Sequence, residues 1–235
     1  MRELLQALLT ERQLWQQTFD RLLKFGSEGV LQKEILQAKE IFFSKLGRTH
    51  EMKEDLYESA SQSFLEWYLF DYPTKFFSKN PAVIFLTLRA GNADELACLE
   101  RSLFHHWSIF EVKSVTEGVI VLTDLLAKTE REVLYDAESP ESKLWKVQNG
   151  DVIQARLFHL SKESYYFLTH LWLHPKPESE ILKKLCEKEA ANWGRHHDFM
   201  LSCFEAVVRT YGVEKQLKVS GSKNWLYQEL VKKYA

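Results

Sequence analysis

Two periods divide the chain. Apolar positions recur every three to four residues up to about His106 and again from Glu178 onward, the spacing of one face of a helix. Between Ser108 and Pro175 they alternate, the spacing of half-buried strands. Five strand candidates result: Ile109–Val115, Val119–Leu125, Glu132–Tyr135, Asp151–Leu160 and Tyr165–Leu173. Glu117-Gly118 and Asn149-Gly150 supply tight turns between them. The pattern predicts a small antiparallel curled sheet or barrel of about five strands.

The helical stretches have punctuation of their own. A first helix is expected over residues 2–25, with Leu8, Trp15, Phe19 and Leu22 near one face and Gly26 and Gly29 ending it. A second runs over residues 31–46, with Gly47 placed as its cap. A third, residues 51–72, ends in the aromatic run SFLEWYLFDYP, because Pro73 disfavours helical angles in the residue before it. Asn80-Pro81 reads as an N-cap followed by proline at the first helical position. Asn92 and Glu95 read as a capping box opening a helix over residues 93–106. Residues 178–211 form one bent helix or two, broken at Gly194 and capped by Gly212. A short helix spans residues 225–234.

The expected fold class is therefore α+β: a helical region (1–107), an antiparallel β module (108–175) and C-terminal helices with a tail (176–235). No linker is long enough to separate them, so one compact unit is expected. A sheet with one apolar face must bury it, and the helices near 51–72 and 195–211 are the best lids. Trp67, Phe70, Phe104, Ile109, Phe110, Val121, Val152, Leu157, Phe167 and Phe204 form the expected core.

Composition narrows the class. The chain has 235 residues, 45% apolar and 27% charged, enough to bury a core without a metal or disulfide. A net charge of −2 gives no global attraction to nucleic acid or acidic membrane, but leaves room for a local patch. Cys98, Cys186 and Cys203 are odd in number and far apart, as expected of buried free thiols in a reducing compartment. The first fifteen residues lack the pattern of a signal peptide, and no window approaches about 18 uninterrupted apolar residues. Cytoplasm is the expected location, with no membrane partner.

Candidate chemistry is sparse. His105-His106 and His196-His197 each fall in a helical pattern, where neighbours point about 100° apart and cannot easily chelate one ion. His170 and His174 are four apart in strand-like sequence, where that spacing does not converge either. No cofactor or metal is expected. Glu66, Trp67 and Asp71 lie on the aromatic helix. They read either as core residues whose carboxylates meet backbone N–H groups or arginines, or as a pocket with a raised carboxyl pKa doing acid–base work. Arg156, Tyr165 and Trp172 would suit base stacking and phosphate contact if the sheet were exposed, or core packing if it were not. No Cys-x-x-Cys, GxGxxG, GxxxxGK[ST] or GxSxG motif occurs.

Four segments carry a family resemblance: Glu66-Trp67-x-x-Phe70-Asp71-Tyr72, Ser108-x-Phe110-Glu111-Val112, Asp124-Leu125-Leu126 and Gly150-Asp151-x-x-x-Ala155-Arg156. Over about Glu51 to Leu173 the chain resembles an uncharacterised bacterial family with an EWxxFDY-like helix and a small β module. Many of its members carry a C-terminal SEC-C motif, a cysteine-rich zinc knuckle. Here Ser220-Gly221-Ser222-Lys223 keeps a trace of its core without any cysteine ligand, so zinc does not carry over. The resemblance implies a cytoplasmic bacterial protein and no particular activity.

The leading expectation is a non-enzymatic binding or adaptor protein that holds a protein or nucleic-acid partner on its sheet region. The alternative is a hydrolase-like enzyme using Glu66, Asp71 or the paired histidines. A third is a structural subunit, which would expose an apolar patch above about 600 Å².

Overall fold

The alternating segment closes on itself as a five-stranded barrel, and helices pack around it. The computed structural model describes residues 2–46, 52–135, 147–159, 164–190, 196–213 and 225–234. In chain order these form α1 (Arg2–Ser27), a 3-10 turn (Gly29–Leu31), α2 (Gln32–Leu46), α3 (Glu54–Phe70), α4 (Pro81–Thr87) and α5 (Ala93–Ser102). The strands are β1 (His106–Thr116), β2 (Val119–Asp124), β3 (Glu130–Leu134), β4 (Val152–His159) and β5 (Ser164–His174). Helices α6 (Lys176–Glu189), α7 (His196–Val213) and α8 (Trp225–Tyr234) follow. The fold is α+β with a small barrel.

The local signals act as expected at several ends. The Asn80 side chain accepts from the Val83 N–H ahead of Pro81. Asn92 and Glu95 close a complete capping box. Gly118 and Gly150 adopt positive φ (81° and 85°) in the two turns, where a side chain would be strained. Two glycines behave differently. Helix α1 runs through Gly26 to Ser27. A Cβ on Gly26 would lie 3.1 Å from a Leu69 methyl, so the glycine serves close helix packing. Helix α7 passes Gly212 and ends at Val213. Gly47 and Gly194 lie outside the described residues.

Strand order around the barrel is β1-β2-β3-β5-β4, with β4 returning to β1. Four pairs are antiparallel, but β3 and β5 run parallel, through Val133 opposite Tyr165. This corrects the all-antiparallel expectation. Its cause is parity: strand directions cannot alternate all the way round a closed ring of five.

Three cores result. Inside the barrel lie Phe110, Ile120, Leu122, Val133, Ile153 and Leu157. The barrel's outer face, through Phe158, Tyr166 and Trp172, joins Trp15, Phe42, Trp67, Phe70 and Phe204 from the helices. Ile109 and Val152 pack with Leu182, Phe199 and Tyr227 of α6, α7 and α8. Helices α3 and α7 are indeed lids. All three cysteines are buried and free.

Two expected core residues are misplaced. Val121 is only half-buried, because Ile120 and Leu122 point inward; four consecutive apolar residues, VIVL, leave the facing ambiguous. Phe104 is 74% exposed, because α5 ends at Ser102 and Phe104 sits on the turn into β1. The Phe167 side chain lies outside what the structure describes. The inward facing predicts that Leu122→Ala costs about 2–5 kcal/mol in urea unfolding. Val121→Ala should cost less than half of that loss.

Candidate functional site

Strand β4 is buried on both faces. Its odd-numbered residues fill the barrel, so Gln154 and Arg156 point outward and, under the helical lids, are sealed from water. A buried amide or guanidinium must find partners. The Gln154 amide donates to the Met200 carbonyl of α7 at 2.9 Å. Arg156 reaches the C-terminal end of α3. Its Nη2 meets Asp71 Oδ2, its Nη1 lies 3.5 Å from Oδ1, and its Nε lies 3.3 Å from Glu66 Oε2. The guanidinium also lies over the Trp107 ring at 5.1 Å and the Phe70 ring at 5.9 Å, both favourable cation–π placements.

The electrostatics follow from position. Asp71 is the C-cap of α3, where the helix dipole is negative and a carboxylate is unwelcome. Burial also opposes its ionisation, yet the Arg156 guanidinium outweighs it and holds the carboxyl well below its usual range. Glu66 is the opposite case. Burial dominates, Arg156 only partly compensates, Asp71 adds repulsion, and the carboxyl is pushed up to about 7. One arginine thus stabilises one carboxylate and leaves its neighbour with a proton to exchange near neutrality.

Three histidines ring this knot. His105 Nδ1 faces the Ser102 carbonyl at 3.0 Å, so it carries the hydrogen and Nε2 faces Asp71 Oδ1 at 3.6 Å. Trp67 Nε1–H donates to His197 Nε2 at 2.8 Å. His196 Nε2 faces the Trp107 carbonyl at 3.1 Å and donates to it. Burial pushes all three imidazoles toward the neutral form. No group of three His, Cys, Asp or Glu positioned to hold a metal occurs among the described residues.

The sequence-predicted residues therefore divide. Glu66, Asp71 and Arg156 are in contact, and Trp67 lies beside them through His197. Trp172 is buried nearby and donates from Nε1 to the Ser63 hydroxyl at 3.0 Å. Tyr165 is apart from this group: it faces the barrel interior, with Arg131 over its ring at 5.2 Å. None of Arg156, Tyr165 and Trp172 offers a surface on which a base could stack. A cavity of about 20 Å³ lies between α3, α7 and β4, lined by Ser63, Glu66, Trp107, Gln154, Arg156 and Trp172. It has room for about one water molecule.

Sequence reasoning missed a second polar cluster. His105 and His106 are not helical: α5 has ended, and His106 opens β1. His106 Nε2 meets Asp124 Oδ2, and Ser108 donates to Asp124 Oδ1 at 2.9 Å. Both bind the same aspartate, so the serine is not bonded to the imidazole and gains no activation. Asp124 also accepts the Leu126 and Ala127 N–H groups at 2.8 Å, which ties the turn after β2. A strand ending in aspartate before Leu-Leu was the available signal. His174, at the end of β5, is buried with Nδ1 2.7 Å from the Tyr227 hydroxyl. Burial lowers its pKa to about 3.

These shifts give opposed pH effects. Glu66 is raised, so its contribution to stability is full below about 4.5 and is lost as pH rises through about 7. Glu66→Gln should abolish that loss, read as urea midpoints across mildly acidic to neutral pH, from about 4.5 to about 7. His174 is lowered, so its contribution is full above 6.5 and is lost as pH falls toward about 3. His174→Gln should flatten the acid limb of the same titration. Arg156→Met strands Asp71 and should cost about 3–5 kcal/mol at neutral pH.

No family model, curated protein or solved structure matches the chain.

Proposed function

We propose that the protein is a non-enzymatic binding or adaptor protein, cytoplasmic and of the bacterial family its motifs resemble. The buried polar knot then serves to lock the helices onto the barrel. The observation that carries this reading is the size of the cavity beside Glu66: with room for about one water, it accepts no organic substrate. Among the charged residues of the resembling motifs, Asp71 and Asp124 accept hydrogen bonds within the fold, and Arg156 is ion-paired with Asp71 and Glu66. Engagement of a protein or nucleic acid therefore falls to the surface, away from the sheet, whose outward aromatics lie beneath helices.

The hydrolase reading keeps one observation in its favour. Glu66, with its pKa near 7, lines that cavity, and the reading requires α3 and α7 to part for a substrate to enter. The two readings separate in one experiment. The intact protein and Glu66→Gln are compared for partner recovery after cross-linking and for turnover on a panel of ester, amide and phosphoester substrates. Unchanged partner recovery with no Glu66-dependent turnover is the expected result. Turnover that vanishes in Glu66→Gln would overturn the proposal.

A further inference from the structure

The loop between α3 and α4 holds two large apolar side chains out into solvent. Phe76 is 71% exposed and Phe77 36%, and their rings pack edge to face at 4.8 Å. Lys75 and Lys79 flank them, both exposed. An exposed aromatic pair is expected to fold back onto the protein unless the backbone prevents it, and here the backbone is fixed. The buried Glu34 carboxylate of α2 accepts the Lys75 N–H at 3.1 Å and the Phe76 N–H at 3.3 Å. Buried Thr74 donates from its N–H (3.1 Å) and hydroxyl (2.9 Å) to the Lys79 carbonyl, and Ser78 N–H returns to the Thr74 carbonyl at 2.8 Å. Ser78 takes φ of 53°, a left-handed angle that a non-glycine residue adopts at some cost. Asn80 anchors the far side, donating to the Phe70 carbonyl at 2.6 Å.

The ends of two further helices lie beside this loop. The Tyr68 hydroxyl donates to the Gly26 carbonyl at 2.7 Å, which sets the end of α1 against α3. Glu34 belongs to the first turn of α2. The same end of the molecule thus carries exposed Lys24 in the last turn of α1, exposed Lys33 at the start of α2, and Val30, 60% exposed, between them. Glu28 is the exposed acid of that connection, while Glu34 is occupied by the loop. The loop and the two helix ends beside it thus carry four exposed lysines and three exposed apolar side chains, on a chain whose net charge is −2.

We propose that this end docks on the surface of an anionic lipid bilayer, with Phe76 and Phe77 entering the interface and the lysines meeting lipid phosphates. The proposal goes beyond the binding-protein reading, whose partner is a protein or nucleic acid, and adds a lipid surface where composition alone suggests no membrane partner. Charge and shape both favour it. Basic residues close to an anionic leaflet are attracted to it, and phenylalanine among lysines is the composition of interfacial anchors. A bilayer accepts a protruding apolar tip without a matching recess. No helix among the described residues is long and apolar enough to cross a membrane, and surface docking requires none.

The test is co-sedimentation of the full chain with phosphatidylserine–phosphatidylcholine vesicles and with phosphatidylcholine vesicles alone. A single-stranded oligonucleotide is titrated in parallel. Expected is sedimentation with the anionic vesicles only, weakened about tenfold or more by Lys75→Glu with Lys79→Glu, and likewise by Phe76→Ser with Phe77→Ser. Glu66→Gln should sediment as the parent does. Equal sedimentation of parent and loop variants, or none, overturns the lipid partner. Loop-dependent binding of the oligonucleotide without vesicle binding overturns the lipid proposal and leaves the binding-protein reading standing. Glu66-dependent turnover would overturn that reading instead.

Discussion

The ion pair between Arg156 and Asp71 is the constraint on which the rest of this architecture turns. A cation on the outer face of a barrel strand is tolerable if it is solvated or if something compensates it. Here helices cover the strand, so compensation must come from them, and only the C-terminal end of α3 delivers it. The helix dipole and the Asp71 carboxylate both favour a positive charge at that spot. The pair therefore fixes where α3 ends relative to β4, and with it the placement of Trp67, Phe70 and the loop beyond. An apolar substitute at position 156 alone leaves a charge without water or partner, and for that reason such pairs are hard to lose piecemeal.

A second consequence is the division of labour between Glu66 and Asp71. Five residues apart on one helix end, they share one guanidinium and acquire opposite acidities. Identity of side chain does not decide which is ionised. Alignment with Arg156 does: Asp71 faces both terminal nitrogens, whereas Glu66 meets Nε without a well-aligned hydrogen bond. The neutral histidines around them add hydrogen bonds without adding charge, which keeps the region close to balanced.

Much of the fold was legible in the chain because each element carried its own signal. Period two marked all five strands, and Asn80, Asn92, Gly118 and Gly150 marked ends and turns through their own local chemistry. What was not legible required knowledge of the partner element. Gln154 and Arg156 alternate with apolar neighbours as solvent-facing residues do, and nothing local reveals a helix lying over them. The parallel β3–β5 contact depends on ring closure, a property of the whole set. For the site, Glu66, Asp71 and Arg156 were each visible, but their meeting joins positions 85 residues apart in the case of Asp71 and Arg156. His105 and His106 were misread because the three-to-four-residue apolar spacing of α5, Leu96, Leu99 and Leu103, runs on past Ser102 into the turn that ends it.

The closure of the barrel has one more implication, for how this molecule can be approached. Each described strand has a hydrogen-bonded neighbour on both sides. Among the described strands none is an edge along its whole length. The narrowest seam joins β3 to β5 over three residue pairs, from Glu132 with Ser164 to Leu134 with Tyr166. Recognition by strand addition, which uses a free border, therefore has only the unpaired ends of strands to work with, and the same holds for templated pairing with a second copy.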